Sequence, residues 1–201
     1  MVTKNDLVYI ELDKQEFREA AEVALIIATS IPDRPDLHPR DLLERFIDCL
    51  MGEVAERMVL RWLRQNGKYA KPAADKKAAE RDPGHDILLK LGTEKKVVRA
   101  SIKSSLSALK DDPGEILSTF TLAVTPKEIR EINIQVYFWL SLWGSPRVTV
   151  PSMKQAAIVA WAHDADLRKT NFKEYRGEER LAPELKLKDL RPPRELLKWL
   201  V

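Results

Sequence analysis

The stretch Asp82-Pro83-Gly84-His85-Asp86, Ile87-Leu88-Leu89-Lys90-Leu91, Gly92-Thr93-Glu94-Lys95, then Val97-Val98-Arg99-Ala100-Ser101-Ile102-Lys103-Ser104-Ser105, decides how this chain is read. It holds two short β-rich runs bounded by turn residues and joined by a loop of about four residues, the signature of a β-hairpin. The spacing places Asp86 at the first residue of one strand and Lys103 at the last of the other. In an antiparallel pair those ends lie side by side, so a carboxylate and an ammonium meet at one edge of a sheet. An exposed ion pair alone carries little meaning. Here Asp86 follows a Pro83-Gly84 turn that holds the backbone open. Lys103 closes an apolar strand, and Ser104-Ser105 are small and hydroxylated, as suits a backbone that approaches phosphate.

Outward from the hairpin, the order of elements predicts a mixed α/β (α+β) domain. Helical spacing of Phe17, Ala20, Ala21, Ala24, Leu25 and Ala28 predicts a helix over 15–29. Three prolines make 31–39 a loop. A broad apolar stripe from Leu42 to Leu63 predicts a long helix from 39 or 40 to 65, stopped by Asn66-Gly67 and packed on the sheet. Residues 68–81 read as a loop with a possible turn at 73–79, and 104–119 as a loop with a short helix. The run from Ile132 to Trp143 is the strongest strand signal, and its partial alternation suits a central strand covered on both faces. Residues 156–161 fit a strand better than a helix. A helical turn is expected at 164–169, a short strand at 185–187, and a closing helix over 193–200 with Pro at its first turn. Residues 1–10 form a short strand or an arm. The domain reading is a single unit over 1–201, with 1–38 as an N-terminal helical arm and 39–201 as the core.

The 201 residues are enough to bury a core, and 44% apolar with 32% charged residues is an ordinary globular balance without a disorder signature. No apolar run spans a bilayer and no signal-peptide core is present, so no membrane partner is expected. The single Cys49 excludes an internal disulfide and a cysteine zinc cage and fits a reducing, cytoplasmic setting. It reads as a structural residue of the long helix. The net charge of +3 is small but uneven. Between positions 61 and 81, seven basic residues (Arg61, Arg64, Lys68, Lys71, Lys76, Lys77, Arg81) face only Asp75 and Glu80. Such a block beside a candidate site is either a footprint for a polyanion or a solvated loop.

Gly84-His85-Asp86-Ile87, followed by Ser101-Ile102-Lys103-Ser104-Ser105, resembles the PD-(D/E)XK nuclease superfamily, which includes restriction enzymes and junction resolvases. Gly52-Glu53-Val54-Ala55-Glu56, with Val59, Leu63 and Gly67, is similar to the helix those enzymes place before the hairpin. The resemblance covers roughly residues 45–200 and implies a restriction endonuclease-like mixed sheet of four to five strands flanked by helices. It implies a Mg²⁺-dependent (or Mn²⁺-dependent) DNA endonuclease, acting on double-stranded DNA as a homodimer. Asp86 would bind the ion, with the Ile102 carbonyl as a further ligand. Lys103 would position or help activate the attacking water and stabilise the transition state. Lys68, Lys71, Lys76, Lys77, Arg81, Ser104 and Ser105 would meet the nucleic acid.

The chain departs from the family pattern at Ser101, where an acid is expected. The missing carboxylate comes from Glu115, as in a subgroup with a displaced glutamate, or from Glu53 or Glu56 on the preceding helix. Each of these also reads as an ordinary solvated helix glutamate. Alternatively the site is inactive and the domain only binds nucleic acid. His85 is either a general base or a polar turn residue. His38 and His163 lack companions for a zinc site. Phosphate-loop, dinucleotide and nucleophile-elbow motifs do not occur. The five tryptophans read mostly as core.

Overall fold

The computed structural model describes residues 1–32, 39–76, 84–92, 96–107, 112–122, 124, 132–139, 153, 155–175 and 178–201. The architecture is mixed α+β. Helix α1 spans Lys14–Ser30 and α2 spans Leu42–Gln65. Six strands form one sheet: β1 (Val8–Tyr9), β2 (Ala70–Pro72), β3 (Ile87–Leu91), β4 (Lys96–Ser107), β5 (Ile132–Trp139) and β6 (Gln155–Ala162). Their order is β1-β6-β5-β4-β3-β2. Every neighbouring pair is antiparallel except β4 with β5. A parallel pair needs a crossover, and helix α3 (Pro113–Thr119) lies in that connection. Helix α4 (Asp164–Leu167), the hairpin of β7 (Phe172–Tyr175) and β8 (Glu178–Pro183), and α5 (Pro193–Trp199) follow.

Local chemistry sets these boundaries. Asp13 caps α1 through the amides of Gln15 and Glu16, and Asp41 caps α2 through that of Glu44. At the far end of α2 the amide of Lys68 reaches Leu63 O at 2.9 Å and that of Gly67 reaches Arg64 O at 2.9 Å. That Schellman pair needs a left-handed residue, supplied by Gly67 at φ 71°. Asp112-Pro113-Gly114 starts α3: Asp112 accepts from the Glu115 amide and Pro113 occupies the first turn.

One face of the sheet packs on α2. Ile87, Leu89, Ala100, Ile134 and Val136 are buried against Val54, Ala55, Met58, Val59, Trp62 and Leu63, with Ala20 and Ala24 of α1 behind them. The first residues therefore belong to the packed structure: β1 pairs with β6 and α1 lies along α2. A second core covers the opposite face at β5 and β6, where Tyr137, Val159 and Ala160 meet Ile116, Leu117, Leu167, Leu187 and Leu190. The C-terminus is stitched to the hairpin. Val201 N donates to Lys90 O at 3.1 Å, Tyr69 N to Val201 O at 3.0 Å, and Gly92 N to Trp199 O at 3.1 Å.

Several boundaries differ from the sequence expectation. The sheet has six strands because two short edge strands join it, β1 of two residues and β2 of three, too short to show a period. Of the strand expected at 185–187, Lys186 makes only an isolated bridge to Thr121 and Leu187 opens a 3-10 turn (Leu187–Asp189), and the β7–β8 hairpin was not foreseen. Strand β4 continues four residues past Lys103, because β5 pairs with it as far as Ser107↔Trp139. Among the described residues no helix is long and apolar enough to cross a membrane.

Candidate active site

Strands β3 and β4 pair from Leu91↔Lys96 to Ile87↔Ala100. Past that point β4 runs on without β3, so Lys103 lies within a strand whose β3-side flank extends beyond the hairpin. At Asp86 the ladder slips. Its amide donates to Ala100 O at 3.1 Å, one residue out of register, and its carbonyl accepts from Ala73 N at 2.9 Å. Its carboxylate turns to β4, where Oδ2 accepts the amide of Ile102 at 2.6 Å. Gly84 supports this geometry, with φ 82° two residues earlier. Asp86 thus meets the backbone at the middle of Ser101-Ile102-Lys103, whereas the hairpin reading had set its carboxylate beside the Lys103 ammonium at a shared strand end.

The pleat distributes the rest. Ala100 and Ile102 face α2, whereas Ser101, Lys103 and Ser105 alternate to the other face. There the parallel register sets Ser101 beside Asn133, Lys103 beside Gln135 and Ser105 beside Tyr137. Ser101 and Asn133 are buried and Lys103 is half-buried. Gln135, also buried, donates through Nε2 to Lys103 O at 3.1 Å and to Ser105 Oγ at 3.2 Å, next to a β-bulge in β5. Its Oε1 has no hydrogen-bond partner among the described residues. The polar pair Asn133 and Gln135 was not singled out from the sequence, although two amides within an apolar strand are the signal that marks it.

Glu53 and Glu56 are not solvated helix residues. Each is only 5% exposed, on one face of α2. Lys76 bridges them, with Nζ 2.5 Å from Glu53 Oε1 and in contact with Glu56 Oε2. The three border a cavity of about 470 Å³ that Arg57, Arg61 and Pro72 also line. Burial, with Glu53 and Asp86 nearby, pushes the Glu56 carboxyl up to about 7 against the pull of Lys76. Burial opposes the charge on Lys76, but the two carboxylates outweigh it and raise its pKa. The two glutamates on α2 are linked to the Asp86 segment through Lys76, three residues beyond Ala73, whose amide donates to Asp86 O. Glu115 is exposed on α3, in the connection between β4 and β5, and the start of that helix is tied to Lys4 by the 2.5 Å Lys4–Asp112 pair.

The basic residues divide in the same way. Lys68 Nζ donates to Leu200 O at 2.8 Å, and Lys76 is taken up by its two carboxylates. Lys71 is exposed on β2. Ser104 and Ser105 are half-buried on opposite faces of β4. Lys77 and Arg81 lie outside the described residues, as does His38. His85 is half-buried with interactions of its own, His163 caps α4, and Cys49 packs partly against the main core. Trp62 and Trp161 are core residues, whereas Trp199 is 40% exposed.

The donors fit a hard divalent ion in kind, being carboxylates and a strand carbonyl beside a buried acid pair. They do not form a ready cage. Among the described residues no three His, Cys, Asp or Glu side chains converge to hold an ion, and the cation between Glu53 and Glu56 is Lys76. Comparisons with protein-family models, with curated proteins and with solved structures found no match.

Proposed function

We propose that this chain is a metal-dependent endodeoxyribonuclease of the restriction endonuclease-like type, hydrolysing phosphodiester bonds in double-stranded DNA. The observation that carries the reading is the Asp86 carboxylate bonded to the amide at the centre of Ser101-Ile102-Lys103. A strand residue turns its N–H and C=O toward the same neighbour, so the Ile102 carbonyl accompanies Asp86 on the flank where β3 has ended. Asp86, the Ile102 carbonyl and Glu56 are the residues that would hold Mg²⁺ or Mn²⁺. Such an ion supplies charge stabilisation at the scissile phosphate and an acidified water. Lys103 orients that water and stabilises negative charge on the phosphate oxygens. Glu56 takes the place of the acid missing at Ser101. The protein acts in the cytoplasm as a homodimer, since cutting both strands is most simply done with two sites.

The test is cleavage of supercoiled plasmid with Mg²⁺ or Mn²⁺. Nicking or linearisation by the wild type, lost in Lys103→Ala and Asp86→Asn, supports the reading. Equal inertness of all three over varied substrates excludes it.

The second reading is a nucleic-acid-binding module without catalysis, favoured by Ser101, which is 2% exposed and offers no carboxylate. It predicts salt-dependent binding that needs no metal and survives Asp86→Asn.

A further inference from the structure

We propose that the face of β2, β3 and β4 turned away from α2 is a docking surface for a nucleic-acid backbone, with Lys71, Lys90 and Arg99 as its phosphate contacts. The choice of polyanion rests on the nuclease reading; the surface itself rests on the sheet.

These three strands contain Lys71, Lys90, Lys96, Arg99 and Lys103 and not one acidic residue. The register sorts them. Lys71 pairs with Leu88, Leu88 with Arg99, and Lys90 with Val97, so Lys71, Lys90 and Arg99 share one face. Two-residue steps along β4 continue that face from Arg99 to Ser101 and Lys103, at the Asp86 site. The other face of the same strands, with Ala70, Ile87, Leu89 and Ala100, is buried beneath α2.

The cations are also available. Lys71 and Arg99 are exposed, and Val97, opposite Lys90, is 52% exposed. Lys90 lies over the Tyr69 ring, Nζ 4.2 Å from its centroid, which steadies the side chain without removing its charge. None of the three is in an ion pair among the described residues, whereas Arg57, Arg61, Lys76 and Arg191 are all matched to carboxylates. The second core, which covers this side of the sheet at β5 and β6, takes no residue from β2, β3 or β4.

An acidic membrane surface would also attract this charge. Only Leu88 and Val97 are apolar on the face, too few to insert, and the basic row leads to Asp86 and Lys103, so a nucleic-acid strand is the occupant the geometry favours.

Binding to a fluorescent DNA duplex in EDTA, followed across potassium chloride concentrations, tests this without any cleavage. Each phosphate contact contributes about 0.9 to the slope of log K against log salt. Lys71→Ala, Lys90→Ala and Arg99→Ala should each lower the slope by about that amount, and the triple variant by between two and three, roughly. Lys173→Ala, on the separate β7–β8 hairpin, should leave it unchanged. A triple variant with the wild-type slope overturns the proposal. So does a wild type that ignores duplex but binds phosphatidylserine vesicles through the same three residues. A protein that binds through this face and never cleaves sinks the nuclease reading alone, and one that cleaves with an unaltered triple-variant slope sinks the docking face alone.

Discussion

The carboxylate of Asp86 accepts the backbone amide of Ile102 at 2.6 Å, replacing the ladder bond that β3 would have made had it continued. One side chain thereby ends a strand pairing and brings an acid to the Lys103 strand. The two roles can be separated.

Asp86→Asn keeps an oxygen for the Ile102 amide and should fold normally while losing metal-dependent cleavage. Asp86→Ala should in addition lose about 1–3 kcal/mol of stability, because a partly buried amide is left without an acceptor. Paired urea melts and plasmid assays check this; equal melting of the two variants would show that the bond contributes little.

Lys76 neutralises two carboxylates that water hardly reaches. Lys76→Met should cost about 3–5 kcal/mol at neutral pH, the penalty for stranding a buried charge. The variant should recover when Glu53→Gln and Glu56→Gln are added. A midpoint within experimental error of the wild type would assign the bridge no structural weight.

The Glu56 carboxyl, raised from 4.5 to about 7 in the folded protein, ties stability to pH. A folded-state pKa above the unfolded one gives stabilisation that is complete below about 4.5 and disappears as pH rises through about 7. The span corresponds to roughly 3 kcal/mol. Wild type minus Glu56→Gln, measured by denaturation at pH 5 and pH 8, isolates the contribution. The difference should favour the wild type at the lower pH, and a difference independent of pH rules the linkage out.

Asp166 behaves in the opposite sense. Burial works against its charge, but paired hydrogen bonds from Arg191, at 2.7 and 2.9 Å, hold its pKa below the usual value. Its stabilisation is therefore present above the unfolded pKa of 3.8 and lost as pH falls below it. Arg191→Lys should weaken it, because an ammonium cannot offer the planar pair of donors. Acid-unfolding midpoints of the two proteins compare them directly, with the variant expected to unfold at higher pH.

Helices α1 and α2 and strands β3, β5 and β6 were legible because each has a period or a run long enough to show it. The 24 residues of α2 repeat their apolar stripe over several turns and end on Gly67. The edge strands β1 and β2 carry no such pattern, since their pairing is imposed by neighbours. Lys103 was misplaced at a strand end because Ser104-Ser105 look like loop residues. Their strand conformation comes from β5, where Ser104 pairs with Val136 and Ser105 with Tyr137, 32 residues further along the chain. At the site, the hairpin reading brought Asp86 to the strand that carries Lys103, but the bond from the Ile102 amide to its carboxylate arises where β3 ends and could not be read from the spacing. The burial of Glu53 and Glu56 did not, because it depends on Lys76 arriving from a separate loop, and helical angle carries no information about that.

The stitching of Val201 to Lys90 and Tyr69 bears on the order of events during synthesis. The hairpin that carries Asp86 has its far end closed by residues made more than a hundred positions later. A nascent chain still short of Val201 lacks those closing bonds. The hairpin therefore gains its last backbone partners only once Val201 has been added, late in synthesis.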